Sequence, residues 1–346
     1  MAYTTIDNPE DYFTTVLTTS TGSALTIDTG FKPDLLWTKA RNQARSHEVH
    51  DTTRGDDKRL KADANTAEES YSSYLAFTST GATLGTNHNL GYHDSGSTTG
   101  VCWAWKANGG TRTTNTESGD NPAGGYQANT TAGFSIVDYT GTGGAGTMAH
   151  GLGAVPDTIW VKNRDQADNW AIYTSAKGNT HYGIFNTYGN WEDDDTVWND
   201  TSPTSSVFTV GTSHLTNADG EKYIAYCFTN IQGYQKHGKY TGNGNADGPF
   251  VYTGFKPAYL WVKYDGNGEN WRVYDNKRST VNEMDDTLVI QDTNAEATNN
   301  DLDFLSNGFK IRSADSNSNG SGATIYYYAV AENPFVSSKG VPTTAR

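Results

Sequence analysis

The chain has 346 residues, 35% hydrophobic and 18% charged, and its 39 acidic against 25 basic side chains leave a formal charge of −14. No basic cluster breaks that excess, so a nucleic-acid duplex or an anionic membrane surface would repel it. The 21 Tyr, 12 Phe and 9 Trp beside 37 Gly exclude a disordered chain, because disordered segments are poor in rings, and the length suits two or three domains.

In chain order, the start "MAYTTIDNPEDYF" has neither a basic n-region nor an apolar h-region. The expectation is therefore no signal peptide and folding in a cytoplasm. "GFKPDLLWTKAR" (30–41) predicts a strand after a turn, and "HEVHD" (47–51) raises the question of a metal, because His47, Glu48, His50 and Asp51 crowd one spot. A short helical turn is predicted near "ANTAEESYSSYL" (64–75), with a weaker echo at "TNAEATNNDLDFL" (293–305). Runs such as "VCWAW" (101–105) and "YIAYCF" (223–228) predict strands and are too short to span a bilayer. Cys102 and Cys227 each take the place of an alanine on the small-residue face of such a strand. They read as buried hydrophobes without a redox or nucleophilic role.

The sequence repeats three times. "GFKPDLLWTKAR" returns as "GAVPDTIWVKNR" (153–164) and "GFKPAYLWVKYD" (254–265). Counted from Pro33, Pro156 and Pro257, the repeat places Trp37, Trp160 and Trp261 four residues on, and Lys39, Lys162 and Lys263 six residues on. Trp103, Tyr226 and Tyr328 follow 70, 70 and 71 residues after their prolines. "HEVHD" therefore stands where the other units have "WAIYT" (170–174) and "WRVYD" (271–275). It reads as a strand on which two histidines replace rings on one face, and no metal or other cofactor is assigned. Asp51 with Arg54, and Asp275 with Arg278, read as structural ion pairs at a strand end. The units are residues 1–106, 133–233 and 234–346, with a Gly/Thr/Asn-rich linker at 107–132 and an exposed tail from 337. Short β-runs between Gly/Asn/Asp turns make the fold class all-β, as three tandem β-sandwich or jelly-roll-like units.

Few motifs carry chemistry. "DSNSNG" (315–320) and "NGNADG" (243–248) resemble the start of a calcium loop but lack its glutamate, and turn chemistry accounts for both. "NWEDDDTVWND" (190–200) is the densest acidic run. Rings beside acids and amides suit a sugar or receptor, so Tyr188, Trp191, Asp193 and Asp194 are the contact candidates, while Trp198 reads as ordinary packing. A glycan-degrading enzyme would need two converging carboxylates, with Glu192 and Asp194 the residues to vary. Catalytic residues are not assigned.

The phrases "GFSIVDYTGTGGAGTMAHGLGAVPDTIWVKNR" (133–164), "WNDTSPTSSVFTVGT" (198–212), "YIAYCF" and "DLDFLSNGFKIR" (301–312) resemble an uncharacterised repeat family in virion proteins of tailed bacteriophages, especially marine ones. The resemblance implies a non-enzymatic, tail-fibre-like or adhesin-like structural protein. It would be assembled in the bacterial cytoplasm, carried on the virion, and partnered by other virion proteins and a host-surface glycan or protein receptor. A capsid decoration or capsid-fibre protein is the alternative. By analogy with phage fibres a homotrimer is expected, although three internal units could instead give one chain a pseudo-threefold shape.

Overall fold

The structure, a computed structural model, describes residues 2–90, 97–116, 118–266 and 268–343. It is all-β. Three large antiparallel sheets share one strand order at their centres. In the first sheet, Phe13–Thr19, Thr99–Trp105, Leu35–Ala40, Glu48–Asp51 and Lys58–Lys61 lie side by side. The second runs Phe134–Thr140, Lys222–Phe228, Thr158–Asn163, Ala171–Thr174, His181–Ile184. The third runs Gln235–Thr241, Thr324–Pro334, Phe255–Tyr264, Trp271–Asp275, Met284–Val289. The register places Trp37 opposite Trp103, Trp160 opposite Tyr226 and Trp261 opposite Tyr328.

The two-residue period of a strand then sorts the side chains. Trp37, Trp103, Trp105, Trp160, Tyr226, Trp261, Trp271 and Tyr328 face inward and join one core common to all three sheets. Trp37 meets Trp160 edge-on at 5.8 Å, and Trp160 meets Tyr328 at 6.4 Å, the geometry aromatic quadrupoles prefer. The alternate residues face outward into three separate clusters, around Leu36 and Cys102, Ile159 and Cys227, and Leu260 and Ala329. Short hairpin strands cover these outer faces, for example Gly81–Leu84 beside Leu25–Asp28, and Gly146–Ala149 beside Val207–Val210. The first two large sheets are thus each one layer of a sandwich-like pair, whereas the third continues through Ala297–Leu305, Gly308–Ile311 and Phe250–Tyr252 and curls over its own outer cluster.

The segment read as a linker supplies two strands, Thr113–Asn115 and Ala123–Asn129, at the edge of the second sheet. Its glycines permit this, since a Cβ on Gly124 would stand 1.9 Å from the Asp138 carbonyl oxygen. The helical turn expected at 64–75 is replaced by strand pairing at Glu69–Ser70 and Leu75–Thr78, and its echo by the strand Ala297–Leu305. Cross-strand partners override local propensity there. The α-helices among the described residues are single turns, such as Asp195–Trp198, and none is long and apolar enough to cross a membrane. Cys102 and Cys227 are free, fully buried thiols, and burial alone raises the Cys102 thiol pKa. In the tail, the Ser338 backbone N–H donates to Asp7 at 2.6 Å, and residues 344–346 lie outside the described residues.

Candidate functional site

The strand Glu48–Asp51 shows first why "HEVHD" is not one face. Residues three apart on a strand point to opposite sides, so His47 and His50 separate, which corrects the one-face expectation. His47 enters the common core. Trp37 Nε1–H donates to His47 Nδ1 at 3.0 Å, which leaves Nε2–H to donate to the Val289 carbonyl of the third sheet at 3.0 Å. Trp170 Nε1–H donates likewise to Lys61 O of the first sheet at 2.7 Å, and Trp271 Nε1–H to Ile184 O of the second at 2.9 Å. His47 thus keeps the N–H donor of the tryptophans it replaces, and burial holds its pKa well below the usual range, as a neutral ring. His50 faces the other way. There Glu48, His50 and His88 converge, all fully buried. A third ligand was missing from the sequence reading, and the fold supplies it from a loop far along the chain.

The acidic run does not converge. Glu192 accepts from Tyr182 OH at 2.8 Å, Asp194 caps the turn Asp195–Trp198 through Thr196 N at 2.8 Å, and Asp193 points outward beside His181 at 3.8 Å. Trp191 is not a surface ring. It is 6% exposed and sits inside the common core, edge-on to Tyr326 at 4.9 Å and tilted against Trp271 at 5.8 Å, because the two rings leave an apolar slot that it fills. Trp198 is buried in ordinary packing. The two calcium-like motifs form one turn system. Asn319 Nδ2–H groups close it onto Asn243 Oδ1 at 3.0 Å and Asn245 O at 2.7 Å, while Asp315 caps the turn Ser316–Asn319.

Of the four contact candidates, Tyr188 reaches a cavity. It is 47% exposed and borders a cleft of about 340 Å³ with Asn270, Arg272, Thr287, Asp292 and Asn294. Tyr188 OH donates to Asp292 Oδ2 at 3.1 Å, and partial burial with that carboxylate raises its phenol pKa. All three sheets build the cleft. The second contributes Tyr188 and the third contributes Arg272. The first clamps the loop wall, with Lys39 Nζ donating to Asn294 O at 2.9 Å and Arg41 Nε to Glu296 Oε1 at 3.0 Å. Arg272 is held by Asp301 at 2.7 Å and Asp315 at 3.2 Å, while its buried Nε–H has no partner. Among the described residues lining the cleft, Asp292 is the one carboxylate. An exposed ring, amides that donate and accept, and a fixed guanidinium can stack on and hydrogen-bond a polyhydroxylated ligand. The "DTN" turn at 292–294 carried a local signal, with Asn294 N–H donating to Asp292 Oδ1 at 2.9 Å. Its meeting with Tyr188 had none.

Comparison with known families matches residues 8–334 to one described as a domain of unknown function (DUF7483), so the chain belongs to that family. No curated protein matches it.

Proposed function

We propose that this member of the DUF7483 family is a non-enzymatic structural protein of a phage virion, tail-fibre-like or adhesin-like, that contacts a host-surface glycan through the Tyr188 cleft. The observation that carries the binding reading is the cleft itself. A half-exposed ring stands across from amide and carboxylate side chains, on walls fixed by three sheets. Rigid β-scaffolds that carry polar loops are a common basis for recognition. A single lining carboxylate supports binding over glycoside hydrolysis, which needs two. The virion assignment rests on the resemblance of the repeated phrases to phage virion proteins.

The test is adsorption blocking. Purified protein is incubated with cells of the bacterium the virus infects, and free phage is then counted. A dose-dependent fall in adsorption is expected. Tyr188→Ala should weaken cell binding roughly tenfold, the ~1–1.5 kcal/mol of a stacked ring. Unchanged adsorption, with no binding of the protein to cells, sinks the adhesin reading and leaves capsid decoration as the better account.

A further inference from the structure

The outer face of the first sheet carries a polar cluster that the cleft does not use. His88 Nε2 stands 3.3 Å from Glu48 Oε2 and 3.3 Å from His50 Nε2, and His50 Nε2 stands 3.9 Å from Glu48 Oε2. Ligand atoms at about 2.0–2.1 Å from a tetrahedral zinc ion lie roughly 3.3–3.4 Å from one another. Two of the three edges already have that length.

An open carboxylate oxygen and an oriented imidazole suit a cation here, against the positive field of Arg59. Glu48 Oε1 accepts from Arg59 Nη1 at 2.6 Å and from Tyr74 OH at 2.7 Å, whereas Glu48 Oε2 is buried with no hydrogen-bond partner. An unpaired carboxylate oxygen in a dry interior is costly, and a metal ion would supply the missing partner. His50 Nδ1 lies 2.8 Å from the Lys58 carbonyl, which can only accept, so Nδ1 carries the proton and the Nε2 lone pair faces Glu48 and His88. Backbone carbonyls orient metal-bound histidines in this way. His88 is set differently. Leu90 N–H donates to its Nδ1 at 3.2 Å, so without metal the proton sits on Nε2. Metal binding moves that proton to Nδ1 and gives up two long hydrogen bonds, Leu90 N–H to His88 Nδ1 and His88 Nε2–H to His50 Nε2.

We propose that Glu48 Oε2, His50 Nε2 and His88 Nε2 bind one divalent transition-metal ion of the zinc type. The ion ties the loop that carries His88 to the strand Glu48–Asp51 and has a structural role. It belongs to the first sheet alone, because the counterparts of Glu48 are Ala171 and Arg272, and those of His50 are Tyr173 and Tyr274.

Zinc is measured by plasma mass spectrometry on protein expressed with added ZnCl2 and purified without chelator. About one equivalent per chain is expected. His50→Tyr installs the residue type found at both counterpart positions, and should lose at least tenfold of the zinc while keeping the far-ultraviolet dichroism of the native chain. Should that variant not fold, the native protein is unfolded in guanidinium with EDTA and refolded with or without ZnCl2. Uptake of one equivalent with a raised thermal midpoint is then expected, since a ligand that binds only the folded state stabilises it. A folded native chain that holds no zinc and takes up none on refolding overturns the proposal. Full zinc content in folded His50→Tyr overturns it as well.

Discussion

Lys39, Lys162 and Lys263 are each at most 1% exposed, and they meet backbone carbonyls. Lys39 Nζ donates to Ala40 O at 2.8 Å, Lys162 Nζ to Asn163 O at 2.7 Å and Lys263 Nζ to Glu269 O at 2.7 Å. Burial pushes each ammonium from 10.5 down to about 8. Between about pH 8 and 10 the unfolded chain therefore holds protons that the folded chain has released, and stability rises with pH. The slope approaches ~1 kcal/mol per pH unit for each lysine near pH 9. Buried thiols and phenols act the other way. Cys102, Cys227 and Tyr226 have raised pKa values in the fold, so they keep protons the unfolded chain loses, the thiols from about pH 9 and the phenol from about pH 10, and there they lower stability. The urea midpoint is expected to climb from about pH 7.5 to 9 and decline beyond 10, with Lys162→Met flattening the climb by about a third. A midpoint level across pH 7.5–9 would show that these ammonium groups find better solvation than their burial implies.

Between elements, the seams of the three sheets use related ion pairs. Arg164 binds Glu68 through two contacts of 3.0 and 2.9 Å, and Arg54 reaches the same Glu68 at 3.3 Å. Arg41 and Arg278 share Glu296 in the same way. At the third seam the repeat position of Arg41 and Arg164 holds Asp265, which pairs directly with Lys177 at 3.0 Å. That seam is balanced with one charge reversed, since Lys177 keeps the sign of Arg54 and Arg278. The ion pairs Asp51–Arg54 and Asp275–Arg278 form as the spacing suggested. Removing Glu68 takes both contacts from Arg164 and one from the buried Arg54, which keeps Asp51 and the Val49 carbonyl, so Glu68→Ala should cost ~2 kcal/mol. Asp265→Ala leaves the partly exposed Lys177 and the Tyr326 hydroxyl without that partner and should cost about 1 kcal/mol. Equal losses in chemical denaturation would refute the distinction between the seams. The strands behind these seams were legible, since tryptophan, lysine and proline recur at fixed spacing on a two-residue period. The pairing of 64–75 was not, because helix-forming residues there are held by partners outside the segment. Tyr188 was legible as an exposed ring, but Asp292 stands 104 residues away, and His88 stands 38 from His50. Such meetings are decided by closure of the sheets.

At the scale of the molecule, that closure bears on how many chains assemble. The donor fourteen residues after each proline runs from the first sheet to the third, the second to the first and the third to the second. The Trp103 indole N–H adds a bond to Asp275 at 3.0 Å, and the Tyr226 hydroxyl one to Asp51 at 2.6 Å. One chain therefore completes a cyclic, three-sheet core that a trimer of single-sheet chains would need three copies to build. The inward faces are spent on it, and the large apolar side chains left exposed include Leu17, Val155, Val281 and the neighbouring pair Phe250 and Tyr252. A stable trimer usually buries large, apolar interfaces. Light scattering coupled to gel filtration is thus expected to give a mass near 37.5 kDa. A mass near three times that would bear out the homotrimer expected by analogy with phage fibres. The outcome also fixes how the Tyr188 cleft works. Among the described residues one chain offers one such cleft, so on the proposed adhesin reading firm attachment of a virion would need many copies, whose linked binding multiplies a modest single-site affinity. The isolated chain should then block adsorption only at concentrations far above those at which whole virions bind, and chains tethered together on a bead should block at much lower ones. Equal potency of free and tethered chains would mean that a single cleft binds tightly by itself.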